Sequence, residues 1–281
     1  MCQRWDGPDK AEDADWAAFG RLLEALEPWL EHLVIVGGWA HRLYWLHDNV
    51  QPPDFKPLTT LDADVAIPAN PPVREGEIRQ RLLAAGFEEQ RLGDSGGMVV
   101  HYPLVRHPGA FYAEFITSRT GGAHKRDGSR KQPEFVGGVA AQPLAHVDLL
   151  LESPWQVDLD DPGLIPWRGT VRIAGPVRFL AQKLLILRGR SPNDRAKDIL
   201  YIHDTLQVFG RRLEQLREEW KESVAPSLLP AHRKKIQEAA ERHFGVLTDA
   251  IRQAKDVARR EDLTAEDLRA GCERGLRDLF G

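Results

Sequence analysis

The sequence predicts an α+β domain followed by an all-helical one. Three observations carry that expectation. Short apolar runs with strand character recur up to Pro176 and are interleaved with a few helical stretches. After Pro176 the apolar residues recur at three- and four-residue steps, with no strand pattern in the last hundred positions. Near residue 36 a buried-type run breaks off at Gly37-Gly38, the mark of a tight turn into a helix. The expected domains are therefore a mixed-sheet domain flanked by helices over residues 1–175 and a helical domain over 176–281.

In chain order, Trp16, Phe19, Leu23, Leu26 and Leu30 line one face of a helix over 12–31. Residues 33–36 read as a short buried strand, and 39–47 as a helix. Residues 48–59 are rich in breakers and read as a loop. A second strand covers 61–67, and a helix over 75–85 is stopped by Gly86. Strands are expected near 87–92, 98–104, 111–117, 145–151 and 169–173, and the run 158–163 reads as a turn. Helices then follow at 177–189, 194–209, 211–223, 230–243, 246–259 and 265–279. The last is preceded by Thr264-x-x-Asp267, a capping box with Asp in place of the usual Glu.

Bulk properties narrow the function. With 281 residues, 42% of them apolar and 28% charged, the chain affords a sizeable core. A net charge of −4 argues against non-specific nucleic-acid binding by the whole surface, though not against a local basic groove. The only cysteines, Cys2 and Cys272, form no metal-ligand spacing and no disulfide framework, which fits a reducing cytoplasm. No stretch has the length of a membrane span, and the first residues lack the apolar run of a signal peptide. The histidines never fall in a zinc-binding pattern.

The chemistry concentrates in Thr60-Leu61-Asp62-Ala63-Asp64-Val65-Ala66-Ile67. Residues two apart on a strand share a face, so Asp62 and Asp64 project together. Two like charges side by side are unfavourable, and a divalent cation with oxygen ligands removes the repulsion. Glu114 is a lone acid in the apolar run 111–117. If its strand lies beside the first, three carboxylates converge on one or two metal ions, as in-line phosphoryl transfer requires. Asp148, in the apolar context 145–150, competes for the third place on the residues alone. Gly37-Gly38 would let the backbone of a helix N-terminus approach a phosphate.

This succession of strand, Gly-Gly, helix, T-x-D-x-D and a later acidic strand resembles the nucleotidyltransferase superfamily with the DNA polymerase β-like fold. The closer likeness is to its prokaryotic minimal and AbiEii-like branches, some of whose members are toxins of toxin–antitoxin systems. The resemblance covers about residues 33–205. It implies metal ligands at Asp62, Asp64 and Glu114, so preferring Glu114 over Asp148, and a nucleotide-binding set of Gly37, Gly38 and Thr60. In Lys183-Leu-Leu-Ile-Leu-Arg188-Gly-Arg190 and Arg195-Ala-Lys197-Asp198 it implies that Lys183 touches phosphate, Arg188 adds counter-charge, and Lys197 and Asp198 support the pocket. The implied cofactor is Mg²⁺ or Mn²⁺ with an NTP as donor. The implied acceptor is a hydroxyl of RNA, protein or a small molecule, with an antitoxin as a further partner.

Two departures stand out. Gly38 occupies a position where many relatives carry Ser, and the Pro-rich loop 48–59 lengthens the gap to Asp62. Other readings of the same residues remain open at this level. Lys183, Arg188 and Arg190 could form a solvated helix face, and the basic run 119–131 is either an acceptor-contacting arm or a solvated hairpin tip. Trp39, Tyr44 and Trp45 fit core packing better than base stacking. A non-catalytic binding module is the main rival. A nuclease ranks lower, because Glu114 is followed by Phe115 and Ile116 rather than by a lysine two positions on.

Overall fold

The structure is a computed structural model that describes residues 10–281 apart from 49, 51, 73, 75, 95–96, 108–109, 120 and 122–131. The chain divides into two compact units, one of Met1–Leu43 with Thr59–Ala174 and the other of Tyr44–Leu58 with Gly175–Gly281. The class is the expected one, a mixed sheet with helices followed by a helical region.

In the first unit, α1 (Lys10–Leu26) buries Trp16, Phe19, Leu22, Leu23 and Leu26 on one stripe. It gives way to a single tight turn at Glu27–Trp29, where Pro28 cannot continue the helix. β1 (Val34–Val36) is entirely buried and passes directly into α2 (Gly37–Tyr44). β2 (Asp62–Ala66) and α3 (Ile78–Ala84) follow, with Gly86 at φ +90° ending the helical segment. The expected start of that helix at Glu75 lies outside the described residues.

The remaining strands are β3 (Gln90–Asp94), β4 (Gly97–Pro103), β5 (Tyr112–Ser118), β6 (Glu134–Val136) and β7 (Val139–Leu144). After α4 (Val147–Leu151) come β8 (Trp155–Leu159) and β9 (Gly169–Ile173). The sheet order is β3-β4-β5-β2-β1-β9-β8, with β7 also on β5 and β6 on β7. The parallel neighbour of β2 is β5, and β1 runs antiparallel to β2.

One expected strand is a helix. His146 sits in the left-handed region at φ 62° just after β7 and turns the chain, so that 147–151 coil into α4 against β1, β2 and β5. Val147, Leu149 and Leu150 are buried there and Asp148 is exposed. A short, nearly continuous apolar run satisfies either geometry, and only the turn decides. Strands β6, β7 and β8 were not expected.

The second unit is helical. α5 (Pro176–Ile186), α6 (Pro192–Val208), α7 (Leu213–Glu219), α8 (Ala225–Ser227), α9 (Pro230–Phe244), α10 (Asp249–Ala258) and α11 (Ala265–Phe280) pack around Leu200, Leu206, Trp220, Ile236 and Leu276. The Thr264 hydroxyl accepts from the Asp267 N–H at 3.0 Å and donates to the Asp267 carboxylate at 2.5 Å, so the N-cap half of the box forms. Ser191 and Thr248 cap α6 and α10 in the same way. No helix among the described residues is long and apolar enough to cross a membrane.

Candidate active site

β2 and β5 alternate strictly between the two sides of the sheet. Ala63, Val65, Ala113 and Phe115 point into the core and are fully buried, while Asp62, Asp64, Tyr112 and Glu114 stay half-buried on the other face. The parallel register sets Asp62 beside Tyr112 and Asp64 beside Glu114. The three acids therefore share one face of two adjacent strands. β4 adds His101 in register with Glu114 on its far side, with His101 Nε2 3.7 Å from Glu114 Oε2.

The electrostatics follow from burial first and from that crowding second. Burial, and after it the charge of Asp62, pushes the Glu114 carboxyl up to about 7. The Tyr112 hydroxyl is raised too, by burial first and then by Asp62, Glu114 and Asp64. His101 is lowered by burial, which Asp62 offsets in part. The Thr60 hydroxyl donates to Asp62 Oδ1 and fixes that carboxylate.

Across β1 the acids meet the start of α2. Val36 pairs with Asp64, and the next residue, Gly37, has φ +61°. A Cβ at Gly37 would collide with the Asp64 carboxylate. The glycine is thus required twice, by its backbone and by its neighbour. Gly38 follows as the second residue of α2, at the end of the helix where backbone N–H groups lack intrahelical partners.

Among the described residues no group of three or more His, Cys, Asp or Glu side chains is arranged so that it could hold a metal ion. Asp62, Asp64 and Glu114 form an open acidic face instead. Oxygen donors alone, with free positions left over, suit Mg²⁺, which keeps several waters and shares its coordination with substrate phosphates. The burial that raises the Glu114 carboxyl, and after it the repulsion from Asp62, are what such a cation would offset.

The basic residues implied by the resemblance belong to the second unit. Lys183 is buried, with Nζ 2.5 Å from Asp198 Oδ1, and lies over the Phe179 and Tyr201 rings. Arg190 takes the other oxygen of Asp198 at 2.8 Å. Arg188 and Lys197 are exposed. Asp148, on α4, is an exposed helix residue and is not part of the acidic face. Of the run 119–131, all but Arg119 and Gly121 lie outside the described residues.

Two cavities, of about 470 and 380 Å³, lie within the second unit. The larger is lined by Glu273, already paired with Arg269 at 2.6 Å. The smaller is lined by Arg260, paired with Asp204 at 2.6 Å. Glu273 and Arg260 are thus each paired within the protein. Sequence reasoning missed His101 and Tyr112. Tyr112 was legible as the residue two before Glu114, whereas His101 needed the β4–β5 register.

A family model described as nucleotidyltransferase matches residues 15–225. No curated protein matches. Among solved structures, an antigenic nucleotidyltransferase-like protein from Paracoccidioides brasiliensis is similar at 15% identity, covering 89% of this chain and 94% of its own, with a TM-score of 0.39.

Proposed function

The chain belongs to the nucleotidyltransferase family, and from that premise we propose that it transfers a nucleoside monophosphate from an NTP to an acceptor hydroxyl with the help of Mg²⁺ or Mn²⁺. The observation that carries this reading is the in-register pair Asp64 and Glu114 on adjacent strands, with Asp62 on the same face and Gly37 closed against Asp64.

In this reading Asp62, Asp64 and Glu114 hold the divalent cation. Bound there, it supplies positive charge to the triphosphate and to the oxygens that exchange at phosphorus. The residues do the rest. The start of α2 at Gly37 and Gly38 presents backbone N–H groups to the phosphates, with no side chain in the way. Thr60 keeps Asp62 oriented. Glu114, on the side of the acids away from α2, takes the proton of the acceptor hydroxyl. The hydroxyl oxygen then bonds to the α-phosphorus, the bond to the bridging oxygen breaks, and pyrophosphate leaves. The resemblance assigns Lys183, Arg188 and Lys197 to nucleotide binding; Lys183 is paired with Asp198 within the second unit, and Arg188 and Lys197 are exposed there. The AbiEii-like likeness extends the proposal to a toxin-type role with an antitoxin partner. Growth arrest on expression that disappears in Asp62→Ala supports that extension, and a harmless wild type removes it.

The direct test is calorimetric titration of each NTP with Mg²⁺ into the wild type and into Asp62→Asn/Asp64→Asn. Binding that needs the metal and is lost in the variant supports the donor site. A folded wild type that binds no NTP overturns it in favour of a non-catalytic module.

A further inference from the structure

The helices of the second unit leave a cavity of about 380 Å³ between α6 and α11. His203 and Gln207, one turn apart on α6, form one wall. Asp267, Ala270, Gly271 and Arg274 share a face of α11 and form the other. Gly271 is the floor between them. A Cβ there would stand 3.8 Å from His203 Nε2 and 3.6 Å from Gln207 Nε2, so the bare glycine keeps both groups open to the cavity. Asp262 and Leu263 line it just ahead of the first turn of α11.

The polar groups around this space are only partly matched. His203 is buried, and its Nδ1 lies 2.8 Å from Asp204 Oδ1. A carboxylate only accepts, so Nδ1 carries the N–H and the neutral ring keeps a lone pair at Nε2. Arg260 is matched by Asp204 at 2.6 Å. Arg274 and Asp262 are exposed, and among the described residues their side chains make no hydrogen bond or ion pair. Asp267 gives one oxygen to the Thr264 hydroxyl and keeps the other. The groups left over are a guanidinium, two carboxylates, an imidazole acceptor and the Gln207 amide.

We propose that this cavity binds a basic α-amino acid, either free or as the C-terminal residue of a peptide. Its carboxylate meets the Arg274 guanidinium. Its α-nitrogen donates to His203 Nε2 and to the Gln207 carbonyl. Its side-chain cation goes to Asp262 and Asp267. The lengths agree, because positions 267 and 274 are about 10 Å apart along the helix axis. A lysine or arginine side chain with a hydrogen bond at either end covers such a span. Leu263 and Ala270 offer apolar surface to its methylenes. Two unmatched acids against one unmatched cation repel a polyanion, which sets this ligand apart from an NTP. Binding here is independent of the donor chemistry at the sheet.

The test is calorimetric titration of the full chain with lysine, arginine and the dipeptide Ala-Lys. Norleucine, which lacks the side-chain cation, and cadaverine, which lacks the carboxylate, serve as controls. Lysine or arginine should bind at least about tenfold more tightly than either control. Arg274→Ala should weaken lysine binding about tenfold or more, and Asp262→Asn should weaken lysine while leaving norleucine unchanged. Gly271→Leu should abolish binding with every polar group still in place. Leu suits a helix interior, so this variant keeps the test decisive if thermal melting shows that another fails to fold.

Ala-Lys binding as tightly as lysine assigns a peptide C-terminus, and weaker binding assigns the free amino acid. No binding of any of the three by the folded wild type at millimolar concentration overturns the proposal. So does binding that the controls match, or that Arg274→Ala and Gly271→Leu leave unchanged.

Discussion

Two sets of carboxylates, one in each unit, stand in opposite surroundings. In the second unit Asp198 is almost fully buried and each of its oxygens meets a cation, Lys183 and Arg190. Asp204 is as deep and takes Arg260, whose guanidinium also lies 4.0 Å over the Phe55 ring, and His203 at 2.8 Å. In the first unit Asp62, Asp64 and Glu114 are less buried and share one face, and burial, then the charge of Asp62, pushes Glu114 up to about 7. Depth alone therefore does not mark a functional acid. A buried charge matched by fixed partners is architecture, whereas like charges held together at a half-open surface store repulsion that an incoming cation relieves.

That contrast can be broken by exchanging loss of function for loss of stability. Asp62→Asn/Asp64→Asn should cost transfer at least about a thousandfold, because the metal and everything it stabilises go with the charges. Its melting temperature at pH 8 should not fall, since the substitution removes repulsion. A strong loss of stability would mean that these acids are structural. Asp198→Ala should behave in the reverse sense. It leaves Lys183 buried without its anion and should cost about 3–5 kcal/mol in denaturant unfolding. A neutral result would dissolve the distinction between the units.

Gly37→Ala sharpens the comparison at the junction of backbone and acid. The φ of +61° and the collision with Asp64 should together cost about 1–3 kcal/mol of stability and weaken NTP binding in the same variant. Unfolding curves and calorimetry read both effects.

The gentlest test is pH. Glu114 binds its proton more tightly in the folded chain than its ordinary value of 4.5 allows. Its contribution to stability is thus fully present below pH 4.5 and is lost as pH rises through about 7, with a slope of at most about 1.4 kcal/mol per pH unit. Mg²⁺ should restore the lost stability at and above pH 7. Melting curves from pH 5 to 8 with and without the metal check this, and a metal effect that is equal at every pH would detach Glu114 from the cation.

Much of this was legible in the chain, for reasons that differ by element. The D-x-D strand announced itself because a period of two places both acids on one face. The helical second unit was visible from its apolar spacing and from caps such as Thr264. The partnership of Asp64 with Glu114 was only a conditional reading, since strand order and register are set by contacts distant in sequence. α4 was misread because Val147 to Leu151 carries no clear period, and the deciding left-handed turn at His146 has no sequence mark of its own. The breaker-rich loop was legible over 48–59, but not that Tyr44–Leu58 groups with the second unit, where Phe55 packs against Trp45 and Arg260. Lys183 was read as a phosphate clamp, yet its pairing with Asp198 depends on how α5 and α6 meet.

The contact between Gly37 and Asp64 has a consequence for anyone who re-engineers this scaffold. Two positions far apart in the chain make up a single design variable. Enlarging the first demands a shorter side chain at the second, and shortening the second discards a carboxylate oxygen together with its reach. A mutational library that varies the two sites independently will therefore consist mostly of broken combinations. One that varies them jointly will show whether any pair other than the natural one keeps the turn and the charge at once.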